Sequence, residues 1–209
     1  MNAAATTAGT RVGPAITDRS WFDRPALDVA PTLLGKRLVH ASPDGVVAGR
    51  IVETEAYAGP EDRAAHSSRG KTPRNSVMFG PPAHLYVYFI YGMHYCLNVV
   101  CGPAGKPEAV LIRAVSIDEG EELARKRRRA STSVATVRLA SGPGNVAAAF
   151  GIDRSLNGAD LTDGPVYLTD GPRPPTVVAR PRIGVAYAAE WADKPWRFLV
   201  ADDPNVSRR

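Results

Sequence analysis

The sequence predicts one α+β domain built on a curved, mostly antiparallel β-sheet surrounded by helices. Strand-like stretches come in adjacent pairs joined by turn residues, and strands and helices do not alternate in the βαβ rhythm of a parallel sheet. The 209 residues, 44% of them hydrophobic and 22% charged, are enough for one domain with a single core. No internal repeat breaks this reading.

Residues 1–17 are small and polar, so an unstructured arm is expected there, with the domain proper over 18–209. Residues 26–34 carry helical spacing and stop at Gly35, a residue suited to the position after a helix end. Residues 37–40, the turn Pro43-Asp44-Gly45 and residues 46–57 read as a β-hairpin. The polar stretch 61–75 lacks alternation and reads as loop or short helix. Residues 85–90 and 95–100 form a second strand pair around Tyr91-Gly92-Met93-His94, and 109–115 is an apolar strand broken only by Arg113. Residues 119–130 read as a helix, acidic at its start and basic at its end, as the helix dipole favours. Proline-rich turns at 171–175 precede two last strands, near 183–187 and 196–200.

The balance of charge is basic, at +5, with 26 Lys and Arg against 21 Asp and Glu. Arginine supplies most of the excess, and its planar fork matches phosphate oxygens. That points to an acidic partner, nucleic acid first, although charge alone is also compatible with simple solubility. The run Arg125 to Arg129 fits either a solvated helix end or a phosphate contact. Cys96 and Cys101 offer neither a disulfide framework nor CxxC metal spacing, and His40, His84 and His94 have unlike neighbours, so no metal is expected. There is no signal-peptide pattern and no membrane-length apolar run, so the expected location is cytoplasmic, on the nucleoid if the source is bacterial, without membrane association.

The chemistry concentrates between residues 49 and 98, which hold five of the seven tyrosines: Tyr57, Tyr86, Tyr88, Tyr91 and Tyr95. If 51–57 is extended, the period of two puts Ile51, Glu53, Glu55 and Tyr57 on one face. Two acids in such company must be paired or must border a cleft, and Arg113 is the natural partner. Two readings stay open, a buried ion pair joining two strands or a carboxylate general base oriented by the arginine toward a water. The tip Tyr91-Gly92-Met93-His94 is large and apolar where hairpin tips favour small polar residues. It belongs either in the protein's own core or in a duplex, where apolar wedges unstack a base step.

Taken together, Gly49 through Tyr57, Gly59-Pro60-Glu61-Asp62, Ala64-Ala65-His66, Thr72-Pro73-Arg74-Asn75, Met78-Phe79 and Leu85 through Asn98 closely resemble the alkyladenine (3-methyladenine) DNA glycosylase family. The resemblance continues through Val110 to Ala114, Ser141-Gly142-Pro143, Ile183-Gly184-Val185, Glu190-Trp191 and Lys194-Pro195, covering about residues 20 to 200. It implies a fold like the formyltransferase C-terminal domain. It also implies a monofunctional DNA N-glycosylase of base-excision repair that flips alkylated or deaminated purines (3-methyladenine, hypoxanthine, ethenoadenine) from double-stranded DNA.

Carried over residue by residue, the resemblance makes Glu55 the base that activates water, with Arg113 and the backbone around Ile183 helping to hold that water. Tyr57 would stack on one face of the extruded base, with His66 and Tyr88 on the other and Asn98 at the floor, discriminating against the 2-amino group of guanine. Tyr91 would fill the vacated space in the duplex, supported by Met93. Glu53 is assigned only a structural hydrogen bond. Asn145 departs from the family, whose members often carry lysine there, and implies one phosphate contact fewer. No cofactor is expected, and the protein is expected to act as a monomer. A non-catalytic damage-binding protein, or a relative acting on RNA or nucleosides, is the alternative.

Overall fold

A computed structural model describes residues 13–207. Residues 1–12 of the expected arm lie outside the described residues. Just after them, Ala15 bridges Thr169 and the Ile16 N–H donates to the Leu168 carbonyl at 2.8 Å.

The chain forms one eight-stranded sheet from β1 (Arg37–Ser42), β2 (Gly45–Tyr57), β3 (Leu85–Ile90), β4 (His94–Cys101), β5 (Glu108–Glu119), β6 (Val166–Thr169), β7 (Val177–Arg180) and β8 (Arg197–Val200). The main order is β3-β4-β5-β2-β1-β6, with β8 beside β2 and β7 beside β8. Every one of these pairings is antiparallel. The long β2 has three neighbours, since 45–50 pair with β1, 53–55 with β8 and 48–57 with β5. Its ladder with β5 is irregular between Ala48 and Gly49 and on both sides of Glu53. Such bulges bend a strand and re-aim its side chains.

The sheet has a core face and a site face. Leu85, Val87, Leu97, Val99, Val110, Ile112 and Ala114 alternate into one apolar cluster with the buried residues of α1 (Ala26–Leu33), α2 (Glu121–Arg128) and α3 (Pro143–Phe150). In α1 these are Ala26, Val29, Ala30 and Leu33, the i, i+3, i+4, i+7 stripe of a helix facing a core. The helix ends at Leu34, and Gly35 follows at φ 86°, where a Cβ would lie 2.4 Å from the Pro172 carbonyl oxygen. The intervening residues of the same strands point to the opposite face, which segments 58–84 and 181–196 cover.

Several expectations need correction. Ile51 does not share a face with Glu53 and Glu55, because the bulge turns both Ile51 and Val52 into the core. Residues 183–187 are not a strand. Residues 181 and 182 carry no regular structure, and Ile183 and Gly184 form a bend with Gly184 at φ 79°. Ala186–Trp191 form 3-10 turns, so the last strand pairs with β7 and β2 instead. The helix expected at 119–130 shortens to Glu121–Arg128, because β5 runs on to Glu119 and Gly120 at φ 76° starts the helix. Strands β6 and β7 and helix α3 are not among the elements expected from sequence. In α3, Pro143 is the first residue, a position where a missing N–H costs nothing.

The arginine run is largely folded back on the protein. Arg125 donates to the Val134 carbonyl at 2.7 Å, Arg127 to that of Phe150 at 2.9 Å and Arg128 to that of Arg138 at 2.9 Å. Among the described residues, no helix is long and apolar enough to cross a membrane.

Candidate active site

On the site face, β2, β3, β4 and β5 present Tyr57, Tyr86, Tyr88, Cys96, Asn98, Leu111 and Arg113 to a cavity of about 470 Å³. That size is within the usual range for small-molecule pockets. Segment 183–187 closes one side, His66 and Met78 another, and Gly142 to Asn145 at the start of α3 a third.

Behind the wall of this cavity lie both acids. Glu53 and Glu55 are fully buried, and Arg113 joins them, its Nε 3.2 Å from Glu53 Oε1 and its Nη1 3.3 Å from Glu55 Oε1. Burial alone would lower the Arg113 pKa, but the charges of Glu55 and Glu53 more than offset it, so the guanidinium is held more firmly protonated than usual. Glu53 is spent on structure, since Oε1 also takes Arg197 Nη1 at 2.9 Å and Oε2 takes the Ser207 N–H at 2.8 Å. Glu55 is held differently. Its Oε1 accepts the Ile183 N–H at 2.7 Å, and its Oε2 accepts the Tyr57 hydroxyl at 2.9 Å. A carboxylate has about four acceptor directions, so three donors orient it and leave one for a further partner.

The aromatic walls are fixed as well. His66 Nδ1 lies 2.9 Å from the Tyr86 hydroxyl, and its ring meets Tyr88 edge-on at 4.5 Å. One side of His66 stays open to solvent, yet desolvation and then the Arg74 charge push its pKa down to about 4, so the ring is neutral at neutral pH. Burial likewise raises the phenols, Tyr57 and Tyr88 well above their ordinary value and Tyr86 to about 12. Asn98, 3% exposed, donates through Nδ2 to the Tyr86 carbonyl at 3.1 Å, which uses one amide hydrogen and leaves the rest of the amide for the cavity.

The hairpin tip does not enter the protein's own core. Tyr91 is 77% exposed and Met93 70%, and Tyr91 also lines the cavity mouth. The loop is three residues rather than four, because His94 already pairs with Ile90. Tyr91 and Gly92 both have positive φ, 55° and 68°, as in the tight turns that match strand twist. A bulky residue at positive φ is uncommon and costs backbone energy, which here holds an aromatic ring out in water.

Comparison with known proteins decides what this arrangement belongs to. The profile of the family described as Methylpurine-DNA glycosylase (MPG) matches residues 20–204. A protein of Methanocella arvoryzae is 52% identical over 195 residues, 93% of this chain and 96% of its own length. One from Streptomyces avermitilis is 50% identical over 194 residues, 90% of this chain and 89% of its own, and one from Desulfitobacterium hafniense is 45% identical over 196, covering 90% and 97%. All three carry the name "Putative 3-methyladenine DNA glycosylase".

The chain belongs to the methylpurine-DNA glycosylase family.

Membership makes it a DNA N-glycosylase, a hydrolase of DNA repair with DNA as its substrate. Within this glycosylase, the residues singled out from the sequence fall in one place. Tyr57, His66, Tyr88, Asn98, Arg113, Ile183 and Tyr91 line the cavity, Glu55 lies directly behind them, and Met93 stands beside Tyr91 in the tip. Ile183 reaches Glu55 itself through its N–H. Asn145 also lines the cavity and donates through Nδ2 to the Ser141 carbonyl at 2.7 Å.

Sequence reasoning missed a second buried pair. Arg182 grips Asp62 with two nitrogens, at 2.5 and 2.8 Å, donates to the carbonyls of Ala56 and Trp191, and lies 4.9 Å from the Tyr57 ring centroid and 5.0 Å from that of Trp196. It therefore backs Tyr57 and fixes the residue before Ile183. The signal was available in Asp62 of the Gly59-to-Asp62 motif and in an arginine directly before Ile183-Gly184-Val185, but their partnership spans 120 residues. Among the described residues, no group of three or more His, Cys, Asp or Glu is arranged to hold a metal ion.

Proposed function

We propose that this glycosylase, acting as a monomer, turns alkylated or deaminated purines such as 3-methyladenine, hypoxanthine and ethenoadenine out of duplex DNA. It then hydrolyses the N-glycosidic bond with a water activated by Glu55. The observation that carries this is the oriented Glu55 carboxylate, held by Arg113, Ile183 N–H and Tyr57 hydroxyl directly behind the wall of an aromatic cavity whose mouth bears an exposed tyrosine.

Each part then has a task. A base in the cavity lies between Tyr57 and the pair His66 and Tyr88. The neutral His66 ring adds no charge against a cationic alkylated purine. Glu53, Glu55 and Asp62 meet Arg113, Arg197 and Arg182, so these buried charges balance and do not repel such a base. A purine alkylated at N3 or N7 is a cation and departs as a neutral base. Neutral hypoxanthine and ethenoadenine instead depart with the electron pair of the broken bond and take up a proton from solvent. As the bond to C1′ breaks, the sugar takes on oxocarbenium character, which Glu55 stabilises while it draws a proton from the water whose oxygen joins C1′. The products are free base and an abasic site. The cavity-lining residues include no lysine, and so no amine nucleophile for a covalent intermediate.

Excision from duplexes carrying one lesion each tests this. Release of the free base, alkali-labile abasic DNA and no borohydride-trapped adduct are expected. Failure to release any of the three bases would sink the proposal, and a trapped adduct would replace water with a protein nucleophile.

A further inference from the structure

Large exposed hydrophobic side chains among the described residues are few. Phe89, Tyr91 and Met93 cluster at the β3–β4 hairpin, and Val177 lies on β7, the strand that ends its side of the sheet. Tyr187 is the remaining one, 70% exposed, and it belongs to neither place. It lines the mouth of the same cavity as Tyr91 but comes from a different element, the 3-10 turns Ala186–Trp191.

Its position is not loose. The hydroxyl donates to the Ala64 carbonyl at 3.2 Å, across to the segment that leads into His66. Four residues earlier, the Ile183 N–H holds Glu55. Two residues later, Ala189 has φ 51° and ψ −129°, a conformation that suits glycine and leaves this segment a narrow choice of path. A large ring is thus kept in water at a fixed place relative to the carboxylate.

What meets it follows from the reading proposed above, on which this inference rests. With the base inside the cavity and C1′ near the Glu55 water, the deoxyribose of the extruded nucleotide must occupy the mouth. Its carbon-bound hydrogens suit the electron-rich face of an aromatic ring. We infer that Tyr187 is a substrate-contacting residue that packs on the sugar of the extruded nucleotide. Tyr91 then fills the gap in the duplex while Tyr187 holds what came out of it.

The test is binding of the full chain to a duplex with one 2′-fluoro-2′-deoxynucleoside of hypoxanthine and to the same duplex without the lesion. The fluorine disfavours the oxocarbenium state, so the complex persists. Tyr187→Ala is expected to raise Kd for the lesion duplex about tenfold, with Kd for undamaged duplex and the thermal midpoint unchanged. Tyr187→Phe, which keeps the ring and loses the Ala64 bond, is expected to stay within about twofold of the original chain. Equal affinity of Tyr187→Ala and the original chain for the lesion would overturn the assignment, as would equal losses on both duplexes. A Phe variant as weak as the Ala variant would also overturn it, because the bond to Ala64 and not the ring would then matter. If the original chain shows no preference for the lesion, the base-extrusion reading itself fails and takes this inference with it.

Discussion

Glu53 and Glu55 sit two residues apart on one strand, share one arginine, and serve different ends because of what else reaches them. Arg113, Arg197 and the Ser207 N–H fill the surroundings of Glu53, whereas the Tyr57 hydroxyl and the Ile183 N–H, both from residues that line the cavity, orient Glu55 directly behind its wall. The second buried pair has an energetic consequence. Arg182 and Asp62 have side chains with no exposure, so removing one partner strands a charge in the interior. Arg182→Met is expected to cost about 3–5 kcal/mol of stability in urea melts, as for other broken buried pairs. Asp62→Asn/Arg182→Met should recover part of that loss, and a single variant as stable as the original chain would show that the pair contributes little. From sequence, Arg113 was legible because it is a lone charge in an apolar strand. Arg182 was not, because it stands among loop residues where a charge calls for no explanation.

At the level of elements, the β3–β4 hairpin keeps its apolar tip out of the protein's own core, with Tyr91 and Met93 exposed and Tyr91 at the cavity. Tyr91→Ala should leave the fold intact, since the side chain is exposed, and should weaken the preference for a lesion in duplex over the same lesion in single-stranded DNA. A competition assay that finds the preference unchanged would remove Tyr91 from the wedge role. The α2 arginines make the opposite case. Arg127 bonds the Phe150 carbonyl and the Ser42 hydroxyl, so it ties α2 to the end of α3 and to β1. Arg127→Ala is expected to lower stability by about 1 kcal/mol and to leave the salt dependence of DNA binding unchanged, whereas a phosphate contact would reduce that slope by about one. The paired strands could be read because alternation and turn residues are local signals. Strands β6 and β7 and helix α3 could not, since strands of four residues and a short alanine-rich helix carry no periodicity of their own. The false strand at 183–187 came from alternation that Pro181 and Gly184 should have overruled.

For the molecule as a whole, the sheet largely separates stability from chemistry, with α1, α2 and the body of α3 packed on one face and the cavity, which the first residues of α3 also reach, on the other. Two histidines link stability to pH. Desolvation lowers the pKa of His40, whose Nδ1 lies 2.5 Å from the Phe150 carbonyl, and lowers that of His66 to about 4. Between those lowered values and the ordinary 6.5, the unfolded chain binds protons that the folded chain does not. Stability is therefore full above about pH 6.5 and declines as the solution is acidified toward pH 4. Urea midpoints should fall over that range, and His66→Gln should flatten the fall; an equally steep fall in the variant would mean His66 does not titrate as described. The broad architecture was legible because family motifs and strand pairing agree along most of the chain. The exact walls of the cavity were not, because Gly142 to Asn145 and Tyr187 reach it from segments without pattern.

Holding a base and cutting it loose are separate tasks, and only the second needs Glu55 as a proton acceptor. The direct measurement is single-turnover excision of hypoxanthine from duplex DNA by the original chain and by Glu55→Gln, with lesion binding measured on both. The amide can keep the Arg113, Ile183 and Tyr57 frame nearly in place but cannot take a proton from water. Loss of excision by at least about a thousandfold, within the range for removal of a general base, with lesion binding retained, is the predicted result. Excision by Glu55→Gln at the original rate would contradict it, because the water would then be activated elsewhere.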